Sequence, residues 1–340
     1  MLRKVLLSGL LFLLVNTTYG QKEYKVIALG FYNCENFFDT IHDPNKKDQE
    51  TTPSAKDYQQ KQHNIATVIQ AIGTDVTPDG AAIVGLAEVE NNNVLNDLIA
   101  QPELKDRHYK YEWFYTPDER GISTAMLYNP KYLTVLKSEP LHVATESLAG
   151  KRPTRDILHV CGVLAGDTVH IFVNHWPSKS GGEAASAPGR RLAATVLKKA
   201  VDSLLNINVN TKIIIMGDLN DNPTSEGVTD ILEAEAEKKD VKLNGIYNPW
   251  IDKYKKGEGT EMFQHEWQLI DQIMVSGALL ANNNNKWKFY NAEIFNKDFL
   301  TYHLGYNKGW PHRSYTAAHV WDNGYSDHFP VLVYLVEKIK

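Results

Sequence analysis

YSDHFPVLVYL, residues 325–335, sets an acid and an imidazole, Asp327 and His328, directly before an apolar, β-branched and aromatic run. The run reads as a buried strand. Polar residues also collect in turns for purely local reasons, so the stretch alone reads equally well as a turn or as a site, and the rest of the chain decides. Comparable runs occur at KVIALGFYN (25–33), AAIVGLAEV (81–89), ISTAMLYN (122–129), VHIFVNHW (169–176), KIIIMGDLN (212–220) and IDQIMVS (270–276). Between some of them lie helical stripes. One covers 57–72, with apolar residues at 65, 68, 69 and 72, and another covers 190–205, with apolar residues at 192, 196, 197, 201 and 204. Both have the 3.6-residue period of a helix lying on a sheet. Strands alternating with helices, then a largely irregular last third, fit an α/β fold of two packed sheets with helices on their outer faces. Residues 282–318 are polar and aromatic, and read as a long surface excursion facing substrate. No repeat, low-complexity tract or linker interrupts the chain, which predicts one domain over 21–340.

The first twenty residues stand apart. Arg3 and Lys4 precede an apolar run from Val5 to Val15 and a small-residue stretch ending at Gly20. That is the pattern of a secretory signal peptide, too short for a membrane span. It predicts a secreted or periplasmic protein with no stable membrane insertion. The formal net charge of −5 among 340 residues excludes a strongly basic nucleic-acid footprint overall, although a local basic groove could serve. Cys34 and Cys161 are expected to be two buried thiols rather than a disulfide.

The polar residues that stand out lie at strand ends: Asn33 and Glu35, Glu88 and Glu90, Asn174 and His175, Asp218, Asn220 and Asp221, then Asp327 and His328. Rigid strands fix direction there and loops leave room for a ligand. Singly, each has an ordinary reading: a solvated turn glutamate, an Asx turn in GDLNDNP, a packed histidine before Trp-Pro. Asp271 is harder to explain away, because a carboxylate flanked by LI and QIMV is costly to bury unless paired. An imidazole is a natural partner, which the carboxylate would hold in one tautomer. No C-x-x-C pair or HExxH helix points to zinc, no GxSxG to a serine nucleophile and no GxxxxGK[ST] to a P-loop. Carboxylates, amides and two histidines remain. Hard oxygens suit Mg²⁺, Mn²⁺ or Ca²⁺, and such a cation with a base and hydrogen-bond donors is what phosphate-ester hydrolysis requires.

The motifs NCEN (33–36), AEVEN (87–91), RGI (120–122), NHWPS (174–178), GDLND (217–221), IDQI (270–273) and SDH (326–328) together resemble the endonuclease/exonuclease/phosphatase superfamily, in that family's order and over nearly the whole mature chain. NCENFFD looks most like its secreted bacterial nuclease-like members. The resemblance implies a DNase I-like four-layer α/β sandwich, two packed mixed or antiparallel β-sheets flanked by helices. It implies Glu88 as ligand of a catalytic divalent metal, with Asn33 and Glu35 near it and Asp327 approaching it. Asp218 and Asn220 would orient water and phosphate, and His175 would stabilise or protonate the phosphoryl group. His328, oriented by Asp271, would do general acid–base work, with Asp218 as the alternative base. Gln272 stands where many members have histidine. Arg120, Lys179 and Arg190 are candidate phosphate ligands, set against a structural reading of their loops.

The expected function is therefore a metal-dependent phosphodiesterase or endonuclease acting on nucleic acid. A phosphatase or phospholipase C-type activity on a small phosphoester or a sphingomyelin-like head group is the alternative, and a non-catalytic binding protein on the same scaffold ranks last. No protein partner is implied.

Overall fold

The computed structural model describes residues 24–339 except 45, 47–51, 180, 282–286 and 317. The signal-peptide expectation for 1–20 lies outside the described residues, as do residues 282–286 of the expected surface excursion. In chain order the elements are β1 (Tyr24–Phe37), α1 (Ala55–Ala71), β2 (Ala81–Val89), α2 (Asn92–Ile99), β3 (Lys110–Trp113), β4 (Ser123–Tyr128), β5 (Leu133–Leu141), β6 (Ile157–Leu164), β7 (Asp167–His175) and α3 (Glu183–Ile207). They continue with β8 (Lys212–Asp218), β9 (Ala234–Glu235), β10 (Ile246–Tyr247), α4 (Ile251–Lys255), β11 (Glu261–Phe263), β12 (Glu266–Gln268), β13 (Asp271–Ser276), β14 (Lys288–Ile294) and β15 (Val331–Lys338). Among the described residues no helix is long and apolar enough to cross a membrane.

Two mixed sheets form. The first has the order β14-β15-β1-β2-β4-β3 and the second β5-β6-β7-β8-β13-β10-β9, with β11 and β12 as a separate hairpin. Their facing sides share one apolar layer, including Phe31, Met126 and Val333 from the first sheet and Ile171, Met216 and Ile273 from the second. On the outer face of the first sheet, Tyr32, Leu86, Leu127 and Leu332 pack with Ile65, Val68 and Ile69 of α1 and Leu95 and Leu98 of α2. On the outer face of the second, Phe172, Ile213, Ile215 and Met274 pack with Ala193, Leu197 and Val201 of α3. Central strands are therefore covered on both sides, which is why they read as unbroken apolar runs rather than as alternations. Each fully buried aliphatic or aromatic side chain contributes roughly 1.5–3 kcal/mol of transfer free energy.

Helix α1 starts where the serine preceding it can cap: the Ser54 hydroxyl accepts the Asp57 N–H at 3.2 Å. Helix α3 begins at Glu183, seven residues before the expected start at Arg190, and carries Pro188 inside it. The proline removes one backbone donor near the helix start, and the good helix formers Glu183, Ala184 and Ala185 extend the helix past it. Cys34 and Cys161 are both free, as expected, but only Cys34 is fully buried; Cys161 is half-exposed beside His170. The expected surface excursion at 282–318 contains an ordered edge strand, β14, paired to β15.

Strand register lines up the acidic and imidazole side chains at one rim. β7 and β8 run parallel with His175 opposite Asp218, and β8 and β13 run antiparallel with Asp218 opposite Asp271. β7 and β8 approach closely because Gly217 has no side chain: a Cβ there would lie 2.4 Å from the Asn174 carbonyl oxygen. That contact is backbone and cannot turn aside. Gly217→Ala is expected to destabilise the fold by about 1–3 kcal/mol, as overpacked cores do, read from the urea midpoint; a loss below about 0.5 kcal/mol would show that the two strands can separate freely.

On the helix-covered face of the second sheet, His159 stacks on Phe172 and on His170, with ring centroids 4.4 and 5.2 Å apart. Burial, then the neighbouring His159, pushes His170 down to about 4. Its folded pKa lies below its unfolded one, so the unfolded chain binds the extra proton between them. Stability from this group is present above about 6.5 and lost as pH falls toward about 4. The urea midpoint of His170→Gln is expected to fall less than that of the unsubstituted chain over that window; parallel curves would remove the imidazole as the cause.

Candidate active site

Sequence alternation delivers side chains to the rim, and two irregularities aim them. Pairing of β1 with β2 slips between Asn33 and Phe37, and pairing of β2 with β4 slips between Leu86 and Val89. Glu35, Asn36 and Glu88 take left-handed backbone conformations there, with φ of 48°, 53° and 62°, and Asn220 does so after β8 with φ 49°. Such φ values are uncommon outside glycine, and they concentrate where a bulge re-aims a side chain toward a site. The first sheet thus offers Asn33 and Glu88, and His328 just before β15. The second offers His175, Asp218 and Asp271 in one row.

These groups meet at the seam between the sheets. The His328 Nδ1 lies 2.7 Å from Asp271 Oδ2, both buried. The same oxygen accepts the Thr260 hydroxyl at 2.5 Å. Burial alone would lower the His328 pKa, but the Asp271 and Asp327 carboxylates outweigh it and hold the imidazole well above its ordinary value. With Nδ1 on Asp271, Nε2 is the nitrogen left to face the site, 3.8 Å from Asp327 Oδ1. The Asn33 amide donates to Asp218 Oδ2 at 3.0 Å, a second bond between the sheets, while its carbonyl accepts the Glu35 N–H at 2.9 Å. Asp218 is pushed up to about 8, first by burial and then by the nearby Asp271 charge.

His175 Nε2 faces two carboxylates, Asp218 Oδ2 at 3.6 Å and Glu88 Oε1 at 3.8 Å. Burial first, then the charges of Arg155 and Arg120, push its pKa well below the ordinary histidine value, so this imidazole is neutral where His328 is charged. The buried His175 Nδ1 has no hydrogen-bond partner among the described residues. Glu88 accepts the Asn36 N–H at 2.8 Å through Oε2 and the Arg120 guanidinium at 3.2 Å through Oε1. Arg120 therefore belongs to the same cluster of carboxylates and imidazoles.

Several expected residues work differently. Glu35 does not turn its carboxylate to the site: its oxygens accept the backbone N–H groups of Ser314 at 2.6 Å and Tyr315 at 3.3 Å, with Arg313 Nε at 3.6 Å. It anchors a distant loop, and burial pushes it up to about 8. Asn33 has both ends of its amide engaged and aligns Asp218. Asn220 donates its side-chain N–H to the Trp176 carbonyl at 3.0 Å and its backbone N–H to Asp218 Oδ1 at 2.9 Å, which fixes the turn under the carboxylate. Arg190 does not reach the site. It is buried at 1 % exposure, with its guanidinium spent on Asp221, Ser186 and Glu183. Lys179 is half-buried and lies 3.6 Å from Glu183. Of the expected phosphate ligands, Lys179 and Arg190 are thus paired within their own segment, and Arg120, from a separate loop, contacts Glu88. Gln272 bonds to the Asp221 carbonyl and to Asn248, a structural role.

Sequence reading missed four participants. Lys61 is fully buried on α1 and donates to the Glu35 carbonyl and the Ser314 hydroxyl. Its signal was legible, since position 61 continues the apolar stripe at 65, 68, 69 and 72. Arg313 donates to Asp327 at 3.0 Å, and Thr260 to Asp271. Glu261, bridged to His328, is pushed up to about 7 by burial. None of these last three carries a periodic or motif signal.

The donor set fits a divalent cation. Acid and imidazole atoms of Asp218, Asp271 and His328 lie within 4.8 Å of one another, as do those of Glu261, Asp327 and His328. Buried carboxyls pushed upward by burial and mutual repulsion are short of positive charge, and hard oxygens are the ligands such a cation prefers.

A family model described as the Endonuclease/Exonuclease/phosphatase family matches residues 28–338. No curated protein sequence matches the chain. Among solved structures, an endonuclease/exonuclease/phosphatase family protein from Bacteroides thetaiotaomicron superposes with a TM-score of 0.58 at 15% identity, covering 94% of this chain and all of that one. A mannosyl-6-phosphatase from the same species reaches 0.54 at 17% identity, over 91% and 99% of the two chains. D. rerio TDP2 complexed with single-strand DNA product reaches 0.52 at 11% identity, over 91% and 98%. The structural matches show a shared fold of two mixed sheets flanked by helices, and the family match spans almost the entire described chain, so the protein belongs to the endonuclease/exonuclease/phosphatase family.

Proposed function

We propose that the protein is a divalent-metal-dependent phosphodiesterase acting on nucleic acid. The observation that carries the reading is the row Arg120, Glu88, His175, Asp218, His328, Asp271, in which a charged imidazole, a neutral imidazole and three carboxylates share one rim. A likeness in fold to the DNA-bound D. rerio TDP2 agrees with a nucleic-acid substrate. A small phosphoester such as a sugar phosphate is the second reading, favoured by the net charge of −5.

Glu88 would hold the cation, as the resemblance implies, and Asp327 and Glu261, whose acid oxygens lie within 4.8 Å of each other and of His328, are further candidates. Bound there, a Mg²⁺ or Mn²⁺ ion supplies Lewis-acid neutralisation of the phosphoryl oxygens. Arg120 offers a planar fork to the same phosphate. His328, charged and fixed by Asp271, presents Nε2 as the acid that donates toward developing negative charge. Asp218, whose carboxyl is raised by burial and by the Asp271 charge, is the alternative group to take the proton of the attacking water. Neutral His175 donates a hydrogen bond and adds no charge.

His328→Ala is expected to lower kcat/KM at least about a hundredfold, the low end for losing an acid–base group, and EDTA is expected to abolish hydrolysis of plasmid and single-stranded DNA. Unaltered turnover in His328→Ala, or no metal-dependent hydrolysis of DNA, RNA, phospholipid or small phosphate esters, would overturn the reading.

We also propose that residues 1–20 are a signal peptide and that the enzyme acts outside the cytoplasm. Expression of the full chain in a secretion-competent bacterium should give an exported protein whose N-terminus lies near Gln21; an intact Met1 on a cytoplasmic product would refute it.

A further inference from the structure

Beside the reaction centre lies a cleft of about 400 Å³ that shares Arg120 with it. Four basic side chains, Arg120, Lys151, Arg152 and Arg155, line it against two acidic ones, Asp118 and Glu119. The cleft is thus locally cationic in a chain whose net charge is −5. Two of its lining side chains hold polar atoms that are buried and, among the described residues, unpartnered. The Thr154 hydroxyl, on a residue 5 % exposed, has no hydrogen-bond partner there, and neither has Nε of Arg155, 6 % exposed. A buried polar atom without a partner costs free energy comparable to its desolvation, and the Thr154 hydroxyl points to a ligand that completes it.

The cleft is tied to the reaction centre. Arg155 donates to the Trp176 carbonyl at 2.6 Å, the same oxygen that holds Asn220 under Asp218. Its other arm reaches Asp118 at 3.1 Å, and the Asp118 Oδ1 in turn accepts the Arg120 backbone N–H at 2.9 Å. The residues that shape the cleft therefore also position Arg120 against Glu88. At the outer edge, Arg152 pairs with Glu119 on the surface at 60 % side-chain exposure, and Lys151 donates to the Ala185 carbonyl. Both can turn to an incoming anion at little cost, since exposed ion pairs contribute little.

We propose that this cleft is a subsite for a second phosphate of the substrate, the one next to the scissile phosphate along a nucleic-acid strand. The proposal rests on the phosphodiesterase reading and deepens it. A lone phosphomonoester would leave the cleft unused, whereas a polyanionic strand puts one phosphate on Arg120 at the centre and its neighbour on Lys151, Arg152 and Thr154. Arginine forks and a hydroxyl are the donors that phosphate oxygens take.

The test compares a thymidine dinucleotide bearing no terminal phosphate, a 5′ phosphate or a 3′ phosphate. In the unsubstituted enzyme one of the terminal phosphates should raise kcat/KM about tenfold or more, the effect of one charge-assisted hydrogen bond. In Lys151→Ala/Arg152→Ala that ratio should fall to about one. Thr154→Val, which removes only the hydroxyl, should lower the same ratio by a smaller factor, and Lys199→Ala on the outer surface of α3 should leave it unchanged. No preference in the unsubstituted enzyme, or a preference that survives in the double variant, overturns the subsite. If no dinucleotide is cleaved, the phosphodiesterase reading fails, and the cleft is judged by binding alone. A fluorescein-labelled trinucleotide with a 5′ phosphate, in EDTA at low salt, should then bind the unsubstituted protein about tenfold more tightly than the double variant, and equal binding overturns the subsite. Unchanged urea midpoints in the variants confirm that the fold is intact.

Discussion

The hydrogen bond between Asp271 and His328 joins two sheets whose shared layer is otherwise mostly apolar. Asp271 belongs to β13 in the second sheet, and His328 leads into β15 in the first. A buried carboxylate needs a partner, and here its partner is the group that needs orienting. The Asn33–Asp218 bond repeats the arrangement beside it. Polar cross-links of this kind are specific where hydrophobic packing is tolerant, because a slide of one sheet over the other would strand two buried charges. The apolar layer brings the sheets together; these two bonds fix their register at the working rim.

The same rim explains why two histidines, both buried, hold opposite charge states. His328 faces three carboxyls, from Asp271, Asp327 and Glu261. His175 faces carboxylates too, but Arg155 and Arg120 stand beside it and burial decides. Neighbours thus set the charge preference, with the side-chain type held constant.

Much of this was legible in the sequence. The paired apolar runs predict two covered sheets, and the polar residues at their ends name His175, Asp218, Asp271 and His328, all of which meet. Asp271 was inferable from cost alone, as a carboxylate with apolar neighbours on both sides. The misreadings share a physical origin. Glu35 and Arg190 have the right residue type at the right place in the chain, but a side chain's direction depends on bulges and helix starts that no short pattern encodes. Glu35 turns toward residues 314 and 315, and Arg190 falls inside α3 because that helix begins seven residues earlier than its apolar stripe. Arg313, Thr260 and Glu261 enter from irregular segments, where nothing periodic marks a residue as buried or aimed inward.

The pairing of β1 with β15 carries a further consequence, for how the enzyme comes into being. Tyr24 lies opposite Lys338, and the Ser326 hydroxyl bonds to the Asn33 carbonyl across 293 residues of sequence. A central strand of the first sheet, β15, and the His328 imidazole just before it thus come from a segment far along the chain from β1. Closing so long a loop is entropically unfavourable and slow, so nothing resembling the finished rim can exist on a chain that still lacks residues 326–338. The rim then forms in one step with the completed first sheet, and a molecule interrupted before β15 loses the strand that pairs with both β1 and β14.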